Sequence, residues 1–199
     1  MASKAVTLLV LFLALIVVVA AAAVEARRPQ SDDPTAAAAH AKRRSKDATP
    51  THLHFFFHDT VSGKSPTAIR VVDPPASSSS SSSPFSMFGM VNVMDDPLTE
   101  GPEQDSGPVG RAQGLYMASD QNTIGFLQAM NLVFTSGDFN GSTLALLGRN
   151  CPLDDVRELP IVGGTGAFRF ARGYALLHTH WLDFQTGDAT VEYNVYVMH

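Results

Sequence analysis

The sequence predicts an all-β domain over residues 51–199, either a sandwich or a closed antiparallel barrel. Apolar residues recur there with the two-residue period of strands, and no segment carries a convincing helical period. The apolar runs are short and punctuated by Gly, Pro, Asn and Asp. They follow one another at near-regular spacing, at residues 52–58, 68–72, 87–94, 109–119, 124–135, 142–148, 156–162, 168–184 and 189–198, which gives eight or nine strands. A stretch of this length is one domain, large enough to bury its own core.

What precedes the domain reads as an address and a tether. Lys4 leads an apolar run from Ala5 to Val24, broken only by Thr7, with small-residue cleavage sites at its end. Residues 1–26 therefore read as a secretory signal peptide, with an uncleaved anchor as the rival reading. Residues 27–50 read as a disordered basic leader. They are polar and alanine-rich, and Arg27 to Lys46 holds six basic residues against Asp32 and Asp33. From Asp47 onward the balance inverts to seven basic and sixteen acidic residues, a surface that repels phosphate backbones, so nucleic acid is not an expected partner.

In the first strand, His52, His54, Phe56 and His58 share one face, and Leu53, Phe55, Phe57 and Asp59 share the other. Asp59 thus ends an apolar row, where desolvation raises a carboxyl toward the range useful to a general acid; a strand-ending aspartate bonding local backbone is the plainer reading. The serine run Ser77 to Ser83 marks a mobile surface loop, and residues 95–108 read as a second, acidic loop. In the fourth run Gly110, Ala112, Gly114, Tyr116 and Ala118 share a face. Small residues around one phenol leave room for a ligand if they face a barrel interior, or else serve close sheet packing. The fifth run, IGFLQAMNLVF, is apolar on both faces, which points to burial of its outer side in a homo-oligomer, a trimer or a dimer.

Before the eighth run, Gly163, Gly164 and Gly166 around Thr165 read as a tight β-corner using positive backbone angles. Arg157, Leu159 and Ile161 share a face on the way into it. If that face is inward, the guanidinium needs a carboxylate or an anionic ligand oxygen; otherwise it snorkels to water. Cys151 is the only cysteine, which excludes zinc fingers, iron–sulfur sites, dithiol chemistry and any internal disulfide. His52 with His54 and His178 with His180 are spaced as strand pairs, but no carboxylate or cysteine joins their parity. Solvent-facing or interface histidines are the preferred reading and no metal site is expected. Asn140, Gly141 and Ser142 form an N-glycosylation sequon at a turn.

Several of these blocks together resemble the plant dirigent proteins: HFFFHDT, VNVMDDPLTEGP, GRAQGLY, LVFTSGDFNGSTLALLGRN, RELPIVGGTGAFRFARGYA and VEYNVYVMH, in that order. The resemblance implies an eight-stranded antiparallel closed β-barrel, secreted to the apoplast and homo-oligomeric, with no cofactor and no membrane contact after signal cleavage. It implies a protein that steers the coupling of phenoxy radicals, such as those of coniferyl alcohol, toward lignans or lignin, while an external laccase or peroxidase performs the oxidation. Asp59 would then be the acid, and Tyr116 and Arg157 would bond phenolic oxygens, with Phe57, Ala112, Gly114 and Asn150 around the substrate. Pinoresinol-forming members resemble this chain but place an aspartate where Asn150 stands. With one acid only, half-closed or asymmetric products, or an unsymmetrical substrate, are expected. The alternatives are a cofactor-free cyclase or isomerase on the same barrel, because a lone acid in an apolar cavity suits such chemistry, and a non-catalytic apoplastic carrier.

Overall fold

The computed structural model describes residues 50–75 and 87–199. The signal peptide, nearly all of the basic leader and the serine run lie outside the described residues. The described residues form nine strands: β1 (Thr51–Asp59), β2 (Ala68–Val72), β3 (Val91–Thr99), β4 (Pro108–Ala118), β5 (Phe126–Phe134), β6 (Thr143–Asn150), β7 (Arg157–Thr165), β8 (Arg172–Leu182) and β9 (Ala189–Met198). All pair antiparallel in the order β1-β9-β8-β7-β6-β5-β4-β3-β2. A second pairing of β3, with β1 at Phe56–Thr99 and Phe57–Leu98, closes eight of them into a barrel. β2 takes the part of β3 that β1 leaves free, pairing Ala68 with Met94 and Val72 with Val91. Closure pairs the eight barrel strands on both sides and leaves β2, paired with β3 alone, as the edge strand of the described sheet.

Strand parity fills the interior. Phe55 and Phe57 of β1, Met94 and Leu98 of β3, Met130, Leu132 and Phe134 of β5, Leu159 and Ile161 of β7, and Tyr193, Val195 and Val197 of β9 are all buried. One end of the barrel is plugged by rings. Tyr193 stacks on Phe55 at 5.5 Å, Phe55 meets Phe134 edge-on at 6.5 Å, and Phe134, Phe139 and Phe168 close the end together with His199. Phe168 is fully buried, and burial of such a ring stabilises by about 1.5–3 kcal/mol.

Three sequence expectations are corrected here. Residues 95–99 are strand, not loop: β3 continues through Asp95, Asp96 and Pro97 to Thr99, paired with β4 throughout. The Gly163–Gly166 corner is also strand up to Thr165. Only Gly166 has a positive φ, 63°, and Gly164 is needed because a Cβ there would lie 2.6 Å from the Thr143 carbonyl oxygen and 2.7 Å from Phe168. The small residues of β4 make a close approach rather than empty space. A Cβ on Gly114 would lie 2.2 Å from the Ala129 carbonyl oxygen, and Ala112 is fully buried. His58 and Phe56, on the outward face of β1, are buried all the same. His58 bonds Thr99 Oγ1 at 2.7 Å across the closing seam and Thr190 Oγ1 at 3.3 Å on neighbouring β9, and Thr99 in turn donates to the Gly101 carbonyl, tying down the following loop.

Candidate functional site

At the end opposite the aromatic plug the barrel holds a cavity of about 860 Å3. The size falls in the ligand-pocket range of roughly 300–1,000 Å3. Its floor is Phe57 and Tyr193, its walls include Ala68, Met90, Phe126 and Val191, and its rim is made by the loops that leave the same ends of β1, β4, β6 and β8, with Val61, Asn122, Leu153 and Phe184. Two of these loops are pinned by carboxylates. Asp120 accepts from the backbone N–H groups of Asn122 and Thr123 and from Arg149, and Asp188 accepts from Val61 N, Ser62 N and Ser62 Oγ.

The polar groups inside form two poles. In the eight-membered ring β3 and β7 stand four strands apart in either direction, and so do β1 and β6. Side chains entering from β1, β3 and β4 therefore face those entering from β6, β7 and β8 across the lumen.

The first pole is acidic. Asp59 continues the inward row of Phe55 and Phe57, and desolvation raises its pKa to about 6, with Asp188 adding to the rise and the Tyr116 hydroxyl drawing it back. One oxygen of Asp59 is buried without a hydrogen-bond partner. Tyr116 accepts from Asn92 Nδ2 at 2.6 Å, which leaves its own proton for the Asp59 side. Behind them stands Asp96, fully buried, its pKa raised to about 8 by desolvation first and by the Asp59 charge second. A pair of carboxyls whose burial keeps at least one protonated near neutrality is a proton donor poised inside an apolar space.

The second pole is cationic. Arg157 is buried, follows the inward row of Leu159 and Ile161, and finds no carboxylate among the described residues. Its guanidinium is held by neutral acceptors: Nε donates to Asn150 Oδ1 at 3.2 Å, and Nη1 donates to Thr179 Oγ1 at 2.8 Å and to the Asp154 carbonyl at 3.4 Å. Asn150 Nδ2 in turn donates to Gln128 Oε1 at 2.7 Å. Burial lowers the arginine's pKa, but a guanidinium stays protonated in proteins, so a permanent cation faces the cavity with donors to spare.

The structure thus brings Asp59, Tyr116, Arg157, Asn150 and Phe57 to one cavity, while Ala112 and Gly114 lie in the packed wall beneath it. Asn140 is on the surface, in the turn after the short helical turn Gly137–Phe139, and the hydroxyl of Ser142 accepts from Ala167 N. Sequence reasoning missed Asp96, Asn92, Gln128 and Thr179. The parity of Ala175, Leu177 and Thr179 would have found the last, and that of Met94, Asp96 and Leu98 the first. His52, His54, His178 and His180 stand on the outer surface, where His54 bonds Glu192 at 2.7 Å, and no group of three or more metal-ligating side chains gathers among the described residues.

Comparison with known proteins decides the family. The model of the Dirigent-like protein family matches residues 50–198. The chain belongs to the dirigent family. It is 57% identical over 149 residues to Dirigent protein 21 of Arabidopsis thaliana, covering 75% of this chain and 77% of the relative. It is 53% identical over 150 residues to Pterocarpan synthase 1 of Glycine max, covering 75% and 78%. Among solved structures it resembles the pterocarpan synthase dirigent protein PsPTS1, at 49% identity and a TM-score of 0.70, covering 77% of this chain and 97% of the other. In this dirigent barrel Asn150 ends β6, lines the cavity and accepts from Arg157.

Proposed function

We propose that this dirigent protein closes a ring on a phenylpropanoid-derived phenol, stereoselectively and by way of a quinone methide. The observation that carries the reading is the pair of opposed poles: two buried carboxyls, Asp59 and Asp96, on one wall and a guanidinium with no carboxylate partner on the other, across an apolar cavity. Relatives named pterocarpan synthase, at about half identity, support a ring-closing reaction of this class.

The substrate is a phenol with a benzylic alcohol conjugated to its phenolic oxygen and a second hydroxyl within reach of the benzylic carbon. It binds with the phenolate oxygen at Arg157. Asp59 gives its proton to the benzylic hydroxyl, the C–O bond breaks, water leaves, and the phenolate electron pair forms the quinone methide, whose oxygen Arg157 continues to hold. The second hydroxyl then adds to the benzylic carbon from the face the cavity leaves open. Its proton returns to the Asp59 carboxylate and the electron pair returns to the phenolate oxygen. The net change is loss of one water, and the wall fixes the configuration by allowing one face of attack.

A second reading is stereo-directed coupling of two monolignol radicals supplied by an external laccase or peroxidase, and the size of the cavity favours it. Two assays separate them. Incubation with racemic phenolic benzylic alcohols that carry a second hydroxyl within reach of the benzylic carbon, analysed by chiral chromatography, yields one dehydrated enantiomer on the ring-closing reading. Incubation with coniferyl alcohol and laccase yields enantiomeric excess on the coupling reading. Racemic product in both, with tight binding retained, leaves the carrier reading standing.

The surroundings are also proposals. The apolar leader motivates secretion, and the exposed Asn140 motivates an N-glycan, tested by the mass change on endoglycosidase treatment of protein from plant cells. On the outer wall, register aligns Ile69, Val93, Leu115, Ala129 and Leu147 into one apolar row across five strands, three of its residues well exposed. A row of this kind is covered by a second copy of the chain, so we read a homo-oligomer; Ala129→Asp should shift sedimentation to the monomer.

A further inference from the structure

Arg157 is the buried charge whose surroundings are the least ordinary in the molecule. An isolated guanidinium taken out of water is costly, and proteins meet that cost with a carboxylate. Here each contact is neutral: an amide oxygen, a hydroxyl and a backbone carbonyl. Among the described residues no carboxylate forms an ion pair with it, and the exposed Asp154 acts on it only as a more distant charge. Tyr193, on β9, has its pKa raised by complete burial and stays neutral; Asp154 presents its carbonyl and keeps its side chain exposed; Cys151 is a buried free thiol. The acidic pole belongs to the facing strands.

Asn150 occupies the place where a counter-ion would stand. Its Oδ1 lies on Arg157 Nε, and its orientation is fixed rather than chosen by Arg157, because Nδ2 is committed to Gln128 Oε1. Gln128, buried in β5, is oriented from its other end, where Nε2 donates to Met130 Sδ at 3.3 Å. The chain Arg157–Asn150–Gln128–Met130 thus runs from donor to acceptor at every link, and it presents a neutral oxygen to the cation.

We propose that Asn150 is the specificity-determining residue of this pocket, and Gln128 its positioning residue: by leaving Arg157 without a counter-ion, they make the cavity select the ionised, phenolate form of its ligand. This rests on the ring-closing reading and deepens it. An aspartate at position 150 would neutralise the guanidinium internally, and a pocket so built would bind neutral phenols as readily as anions. Asn150 therefore acts through charge rather than as a missing acid.

The test uses 4-nitrophenol, an unreactive probe whose anion absorbs visible light, so that binding is read without turnover. Titrated against pH with the full chain, the bound probe should ionise at least one pH unit lower than the free probe, a tenfold preference for the anion. Asn150→Asp should abolish that preference, Asn150→Ser should retain it because the site stays neutral, and Gln128→Leu should weaken it severalfold while binding at low pH persists. Equal ionisation of free and bound probe in the wild-type protein overturns the proposal. So does an undiminished preference in Asn150→Asp, with circular dichroism and the thermal midpoint showing that the variant is folded. Failure of ring closure with the preference intact counts against the proposed reaction instead, so the two failures are distinguishable.

Discussion

The two ends of the barrel are built from the same strands and differ in what fills them. Toward the plugged end, the inward positions of β1, β5, β6 and β9 are Phe55, Phe134, Leu144 and Val197, and they pack against Phe168 and His199. Two or three inward positions further along β1, β5 and β6, and on β7, the inward residues become Asp59, Gln128, Asn150 and Arg157, and packing gives way to a cavity. The difference teaches where this fold places its free energy. Dense aromatic packing at one end supports desolvated polar groups at the other, whose unsatisfied atoms cost stability and are retained for chemistry.

A pair of variants breaks the comparison most sharply. Phe168→Ala removes a fully buried ring from the plug and should cost about 3–5 kcal/mol, read as a fall in the urea midpoint at unchanged slope. Asp59→Asn should do the reverse. Turnover should fall by about 10²–10⁴ when the proton donor is lost, while stability at pH 7 holds or rises because a raised carboxyl is no longer forced to ionise in the interior. Equal loss of stability in both would mean that the open end is structural too.

The pH dependence of stability sharpens the same contrast. Asp59 and Asp96 have folded-state pKa values raised above the unfolded value, to about 6 and about 8, chiefly by burial. The folded protein then binds more protons than the unfolded chain, so their contribution is fully present below about pH 4 and is lost as pH rises through 6 and 8. The decline between pH 4 and 8 should be on the order of several kcal/mol, measured by denaturant melts across that window. His58 opposes it on the acid side, since burial lowers its pKa and its stabilisation is lost as pH falls below the usual histidine value. Asp59→Asn with Asp96→Asn should remove the alkaline decline and leave the acid limb of His58.

The legibility of the two ends from sequence follows the same physics. Period-two alternation exposes any inward side chain on a strand that reads as one, which is why Asp59, Tyr116 and Arg157 could be placed from the sequence before a structure. Asp96 was hidden by composition: DDPLTEGP is rich in residues that strands avoid, and the ladder with β4 overrides that preference. Gln128 was hidden the other way, inside a run so apolar that one amide did not register. No local pattern reveals that β1 closes on β3, because the seam is only two residue pairs between distant segments. The opposition of acid and cation depends on that closure, so the poles were legible singly and their arrangement was not.

The smallest effect expected lies at the plugged end, at Phe170. It follows the short helical turn Gly166–Phe168, and its φ of 66° makes it the only residue other than glycine with a positive φ among the described residues. An L side chain in that region costs roughly 1–2 kcal/mol, and a buried contact normally offsets it. None is made here, for Phe170 is 88% exposed. Glycine removes the steric cost and introduces about 0.5–1 kcal/mol of chain entropy lost on folding, so Phe170→Gly should stabilise the isolated barrel by about 0.5 kcal/mol. Phe170→Val should destabilise it, because branching at Cβ tightens the clash. Thermal melts at one protein concentration decide the sign, and a repeat at tenfold dilution sharpens it. Were Phe170→Gly to lower the midpoint, with the deficit vanishing on dilution, the exposed ring would be spending its strain on a contact between copies of the chain rather than on the plug beneath it.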